Sequence, residues 1–182
     1  YDRKVTLGVV GKYVELQDSY ISLTEALRHA AMANEANLDI KWINAELVEE
    51  GEIDLEAELK DVDCILVPGG FGSKGLEGKI SAIKYARENK VPFFGICLGM
   101  QCAVVEYARH IGMTGANTTE ANAETAYPVI DILPDQQDVE EKGSMRLGLY
   151  PCKVAAGSLT EKAYGEALIY ERHRNRYEVN NA

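Results

Sequence analysis

The sequence predicts an α/β fold: an open, mostly parallel sheet with helices on both faces, and extra short strands in the C-terminal half. Three observations predict it. Four short apolar, β-branched runs fall within the first 110 residues, helix-spaced segments separate them, and glycine or proline closes the later ones. Strands alternating with helices of about 10–15 residues give βαβ units, whose right-handed crossovers make parallel sheets.

The elements follow in order. Val5–Val10 is a continuous apolar run, as expected of a strand buried on both faces. Ser19 is placed to cap a helix whose apolar residues Tyr20, Leu23, Leu27, Ala30 and Ala31 keep helical spacing. Asp39–Ile43 reads as the second strand, and Cys64–Val67 as the third, stopped by Pro68-Gly69-Gly70. Leu76, Ile80 and Ile83 mark one face of a helix ending near Asn89. Pro92–Ile96 is the fourth strand, and a helix from about Gly99 to Arg109 follows at once.

Beyond Gly112 the pattern changes. Gly115–Tyr127 is polar and reads as a loop, Pro128–Leu133 as a strand, and Asp135–Gly143 as an acidic, solvated loop. Short strands are expected at Met145–Leu149, Cys152–Val154, Ala167–Arg172 and Arg176–Val179. With no internal repeat, low-complexity tract or linker, residues 1–182 read as a single domain.

Composition narrows the function. The chain carries 19 Lys and Arg against 29 Asp and Glu, a net charge of −10. That balance argues against a general nucleic-acid or anionic-membrane binder, which needs basic surface to displace counterions. The alternating Arg172, Arg174 and Arg176 fit a strand edge better than a nucleic-acid patch. No window approaches the roughly 18 apolar residues of a membrane span, and Tyr1-Asp2-Arg3-Lys4 does not open a signal peptide. Four cysteines include no C-x-x-C pair, and no cluster has metal-ligand spacing, so no metal site is expected. Cys97 and Cys102 would stand about 7.5 Å apart on a helix, too far for a relaxed disulfide. Reduced thiols and a cytoplasmic location are the expectation. Trp42, Cys64 and Cys152 read as core residues.

The most informative stretch is Gly95-Ile96-Cys97-Leu98-Gly99. Gly-x-Cys-x-Gly between an apolar strand and a helix has the form of a nucleophile elbow. A sharp strand-to-helix turn strains the nucleophile and leaves no room for side chains two residues away on either side. It also sets the sulfur at a helix N-terminus, where free N–H groups favour a thiolate. The Leu98 N–H then lies where an oxyanion would form. The plainer alternative is a buried strand-end cysteine between two turn glycines. A second glycine-rich loop, Pro68-Gly69-Gly70-Phe71-Gly72, ends the third strand, at the sheet edge where open α/β folds bind ligands. A Gly70 N–H there is a second candidate oxyanion donor, and the spacing matches neither a Walker A loop nor G-x-G-x-x-G.

These motifs resemble the class I (triad) glutamine amidotransferase family, and within it the glutaminase domains of the CTP synthase family. Gly11-Lys12-Tyr13 with Asp18–Ser22, Met145-Arg146-Leu147-Gly148, and Glu171–Asn181 extend the resemblance nearly end to end. The resemblance implies a flavodoxin-like fold and hydrolysis of L-glutamine to glutamate and ammonia through a thioester on Cys97. It implies Gly70 and Leu98 as oxyanion donors and Gln101 and Glu120 as ligands of the substrate's amino and amide ends. Arg176 and Tyr177 would close on the substrate, guanidinium and carboxylate being bidentate partners. Alone, Glu120 would read as a solvated loop carboxylate and Gln101 as a surface helix residue. The resemblance also implies an amidoligase partner domain, normally in the same polypeptide, that aminates UTP to CTP. ATP and magnesium would be needed only there, no cofactor here, and the full-length enzyme would be a homo-oligomer.

Family members complete the triad with a downstream His-Pro-Glu segment that these 182 residues do not contain. The chain is therefore expected to be truncated before its base, and to lack full activity. His29 reads as a helix-face residue, His110 as a helix C-terminal one, and His173 as a conceivable substitute base. Thr119-Glu120-Ala121 replaces the family's Ser-Thr-Glu-Phe, and Asn175 stands at the second histidine of Arg-His-Arg-His-Arg. The rival reading is a non-catalytic or redox-sensing protein of the ThiJ/PfpI kind, which also places a cysteine on an elbow.

Overall fold

A computed structural model describes residues 1–12, 14, 17–132 and 145–182. The readings at Tyr13, Leu133 and the acidic loop 135–143 lie outside the described residues. The contacts gather into two compact units, Tyr1–Asp131 with Val179–Ala182, and Ile132–Glu178.

The first unit is built on four strands: β1 (Arg3–Gly11), β2 (Ala36–Asn44), β3 (Cys64–Val67) and β4 (Phe93–Gly95). They lie in the order β2-β1-β3-β4, every neighbouring pair parallel. Successive side chains of a strand point to opposite faces, so each face of β1 and β3 needs its own cover. On one face Leu7, Val9 and Leu66 pack with Leu23 and Leu27 of α1 (Ile21–Ala33) and with Trp42 of β2. On the other, α3 (Leu55–Leu59) comes so close that a Cβ at Gly8 would meet the Leu59 side chain at 3.2 Å. The helices that follow the two glycine loops are α4 (Leu76–Asn89) and α5 (Leu98–His110), as the spacing predicted.

The structure corrects several local readings. Ser19 does not cap α1: it lies in a 3₁₀ turn over Gln17–Tyr20, and Tyr20 occupies the cap position without a side-chain bond. Two short helices were not legible by periodicity, α2 (Ala45–Glu49) and α3. Their caps are nonetheless plain: Asn44 Oδ1 accepts from the Glu46 and Leu47 N–H groups, and Asp54 Oδ1 from those of Glu56 and Ala57. Five residues are too few to show a helical period, so only the caps could have signalled them. The polar 115–127 segment contains a short strand, β5 (Asn117–Thr118), parallel to β6 (Pro128–Ile132).

In the second unit β7 (Arg146–Lys153) and β8 (Leu168–Asn175) form a two-stranded antiparallel ladder, with α6 (Leu159–Tyr164) between them in sequence. The break expected near Pro151 is absent. Both strands of such a ladder are edges, where a missing N–H is tolerated, and Pro151 stands opposite Tyr170 without interrupting the pairing. Cys152, expected in the core, is exposed on β7. A last strand, β9 (Tyr177–Val179), leads back to the first unit, where the Asn180 N–H donates to the Val129 carbonyl at 2.9 Å. Among the described residues no helix is long and apolar enough to cross a membrane.

Candidate active site

Cys97 sits between β4 and α5 with φ 53° and ψ −109°. Such a conformation costs a non-glycine residue on the order of 1–3 kcal/mol, and it persists only where surrounding packing imposes it. The packing here is explicit. A Cβ at Gly99 would stand 2.0 Å from the Val67 carbonyl oxygen, so α5 presses directly on the end of β3. A Cβ at Gly95 would stand 2.6 Å from the Gly99 carbonyl carbon, across the turn itself. The Gly99 N–H donates to the Ile96 carbonyl at 2.9 Å, and the Gln101 N–H to the Cys97 carbonyl at 3.1 Å. The two glycines are thus the condition for the turn, as the motif requires.

The Pro68–Gly72 loop abuts this elbow. A Cβ at Gly69 would stand 3.3 Å from Cys97 Cβ and 4.0 Å from its Sγ. Among the described hydrogen bonds, neither the Gly70 N–H nor the Leu98 N–H donates one. Two backbone donors on adjoining loops beside an exposed thiol are the kind of groups from which an oxyanion hole can be built.

Glu120 belongs to the same place. Its carboxylate accepts from the Gly72 N–H at 3.2 Å, reaching the loop from 48 residues away in sequence. Its own turn is held from beneath by Thr118, only 2% exposed, whose hydroxyl accepts from the Glu120 N–H. Thr119 adds a bond from its hydroxyl to Asp131 at 2.7 Å. Gln101 is buried, one helical turn along α5 from the elbow, and not the surface residue its isolated context suggests. Cys97, Leu98, Gly70, Gln101 and Glu120 therefore all lie in the first unit. Arg176 and Tyr177 are both half-buried and belong to the second.

The histidines occupy other places. His29 is exposed on α1, and His110 closes α5, about 18 Å of helix beyond Leu98. The His173 ring packs on Tyr150 within the second unit, centroids 5.2 Å apart. Among the described residues no side chain hydrogen-bonds the Cys97 thiol. The four cysteines are all free. Burial pushes the Cys102 thiol up to about 12, so in the fold it is a protonated core group and not a second nucleophile. No group of three or more His, Cys, Asp or Glu among the described residues is arranged to hold a metal.

Sequence reasoning missed Lys79. It is 1% exposed, and its Nζ lies 3.3 Å from where a Cβ of Gly70 would be. The available signal was its spacing: Lys79 falls three residues after Leu76 and four before Ile83, on the buried face of α4.

Comparison with known proteins follows this geometry. The family model "Glutamine amidotransferase class-I" matches residues 15–182. A CTP synthase of Clostridium acetobutylicum is 58% identical over 180 residues, covering 98% of this chain and 33% of that protein. A CTP synthase of Clostridium kluyveri is 59% identical over 181 residues, with 98% and 33% coverage. The chain therefore spans about a third of the length of these relatives. Among solved structures, the Trypanosoma brucei CTPS glutaminase domain with bound acivicin superposes with a TM-score of 0.85 at 37% identity, over 97% of this chain and 68% of that one. An elbow cysteine set against a glycine loop, in a chain that matches these proteins over nearly all of its own length, has one family reading: the chain belongs to the class-I glutamine amidotransferases, in the branch formed by the glutaminase domains of CTP synthases.

Proposed function

We propose that this chain binds L-glutamine beside Cys97 and cleaves its side-chain amide through a glutamyl thioester. The released ammonia serves a separate synthase domain that aminates UTP to CTP with ATP. The observation that carries this reading is the strained Cys97 elbow lying against the Gly69–Gly70 turn, with two backbone N–H groups that donate no hydrogen bond among the described residues.

The chemistry follows from the parts. The Cys97 thiolate adds to the carboxamide carbon, and the carbonyl π pair moves onto oxygen, to which the Gly70 and Leu98 N–H groups donate hydrogen bonds. Collapse of this adduct breaks the C–N bond. The nitrogen leaves as ammonia once it has gained a proton, and water then attacks the thioester to give glutamate. Glu120, fixed through Gly72, offers a carboxylate for the substrate's amino or amide N–H groups, and Gln101 a neutral partner for its other end. The family resemblance assigns the α-carboxylate to Arg176, whose guanidinium suits it as a bidentate partner, and a substrate contact to Tyr177; both residues belong to the second unit. No histidine of the first unit is placed to assist proton transfer, because His110 stands a helix length from the elbow and His29 faces solvent. On this reading turnover by the chain alone is slow, and binding and thiol addition can be tested apart from it.

Binding can be read apart from turnover. Calorimetry on Cys97→Ala should show L-glutamine binding with D-glutamine excluded, and adding Glu120→Ala should weaken it roughly 10-fold or more, the size of a lost charge-assisted hydrogen bond. Equal heats for both enantiomers, or binding indifferent to residue 120, would remove the glutamine site. A Cys97 that oxidises readily while no glutamine binds would favour the ThiJ/PfpI-like reading.

A further inference from the structure

A lysine amine buried beside a glycine turn is an unusual use of a core position, because burying a charge without compensation is costly. Lys79 lies in the second turn of α4, only 1% exposed, where the helix dipole also disfavours a cation. Its Nζ reaches the Gly70 turn, 3.3 Å from where a Cβ of residue 70 would stand, while Cys97 Cβ lies 3.3 Å from the equivalent point of residue 69. The amine and the elbow thus bracket one two-residue turn, the amine from the interior and the thiol from the exposed side.

We propose that Lys79 is a positioning residue of the reaction: a buried ammonium behind the Gly69–Gly70 turn that favours the negative charge formed on Cys97 sulfur and on the oxyanion. It touches no substrate and acts across the turn. The part of this inference that concerns the oxyanion rests on the glutaminase reading; the part that concerns the thiol does not.

The groups around the amine are consistent with a retained charge. Burial pushes the Lys79 ammonium below its usual 10.5, and Lys12, from the end of β1, pushes the same way. Glu46 of α2 and the ionised Cys97 sulfur push it back up, and Cys102 of α5 does so only where its own thiol ionises, at about 12. Lys12 is itself paired with Glu46, N to O at 3.7 Å, which tempers its repulsion. Glu77 and Arg109, which also face Cys102, form a bidentate pair at 2.8 and 2.9 Å and largely cancel at a distance. A protonated Lys79 presents the field of a cation to the turn from a low-dielectric site, where it acts more strongly than in water.

The test is the rate at which iodoacetamide alkylates Cys97 in the intact chain, followed by mass spectrometry of the Cys97 peptide between about pH 6 and pH 11. That reagent reads the thiol alone and forms no oxyanion. Lys79→Met, an apolar side chain of similar length, should alkylate about five-fold more slowly at neutral pH. It should converge with the parent at high pH, where Lys79 has lost its proton, and melt no lower than the parent. Lys79→Gln, neutral but polar, provides the same comparison should the methionine variant fold poorly. Equal neutral-pH rates in either folded variant would overturn the proposal. So would a slowing that is the same at every pH, since that marks a displaced thiol and not a lost charge. If alkylation depends on Lys79 but glutamine never binds, the glutaminase reading falls and the electrostatic role at the thiol stands.

Discussion

Gly99→Ala is expected to silence Cys97 and to destabilise the first unit together. The new Cβ would sit 2.0 Å from the Val67 carbonyl oxygen, 2.8 Å from its carbon and 3.1 Å from its Cβ. None of these atoms is a flexible side-chain end. Val67 is fully buried at the end of β3, and its carbonyl also accepts from the Ile96 N–H at 3.0 Å. The helix must therefore retreat from the sheet, and overpacking of this kind costs about 1–3 kcal/mol or more. For a chain of this size that corresponds to a drop in Tm of roughly 5–10 °C. The larger effect is on reactivity. A shift of about 1 Å at the start of α5 moves the Leu98 N–H and the thiol relative to the Gly70 loop, and misplacement of that order costs roughly 100-fold in rate. Alkylation of Cys97 by a glutamine-shaped chloroketone, compared with the parent at 25 °C, measures it. A near-parental rate in Gly99→Ala would show that the close approach of α5 to β3 does not set the elbow.

Arg87→Met is expected to unfold the chain at a much lower temperature than Glu106→Gln. Glu106 on α5 is 5% exposed and takes three bonds from Arg87 of α4, at 3.0, 3.0 and 2.8 Å. The two side chains are unequal: Arg87 keeps 28% of its surface in water and has Glu88 as a second neighbour, whereas Glu106 is enclosed. Removing the arginine strands a buried carboxylate, and removal of one partner from a buried pair is strongly destabilising. Glutamine at 106 retains a carbonyl to accept from an arginine that can still hydrate. A drop of roughly 10 °C in Tm is expected for Arg87→Met and a clearly smaller one for Glu106→Gln. Equal drops would mean that solvent reaches Glu106. This clamp bears on function because α4 and α5 are the two helices that begin at the glycine loop and at the elbow.

How much of this could be read from the residues depends on the length scale of the signal. The strands and long helices of the first unit were legible because burial imposes a period, and Cys64–Val67 and Leu76–Asn89 fall where apolar spacing put them. Five-residue helices such as Ala45–Glu49 carry no period, and β7 runs on through Pro151 because its partner lies on one edge only. The elbow was legible for a different reason. Its two glycines are forced by backbone contacts at 2.0 and 2.6 Å, and a steric requirement that severe leaves a mark in the sequence. Glu120 and Gln101 were not legible from chemistry alone. A carboxylate in a polar turn and an amide on a helix have no spacing that announces a ligand, and only the Gly72 bond and the burial of Gln101 place them in the fold. Lys79 was overlooked because lysine is ordinarily a surface residue, and a single charged position within an apolar stripe reads as an interruption.

The most direct test of the central claim, that Cys97 is a nucleophile presented to glutamine, is covalent trapping by the same chloroketone, mapped by peptide mass spectrometry and repeated with L-glutamine in excess. The account predicts labelling at Cys97 alone, protection by L-glutamine, no protection by D-glutamine, and no labelling of Cys97→Ala. Exposed Cys152 and buried Cys102 serve as internal controls on the same chain. Labelling spread over Cys97 and Cys152 and indifferent to glutamine would contradict it, leaving the elbow a reactive thiol without a substrate site.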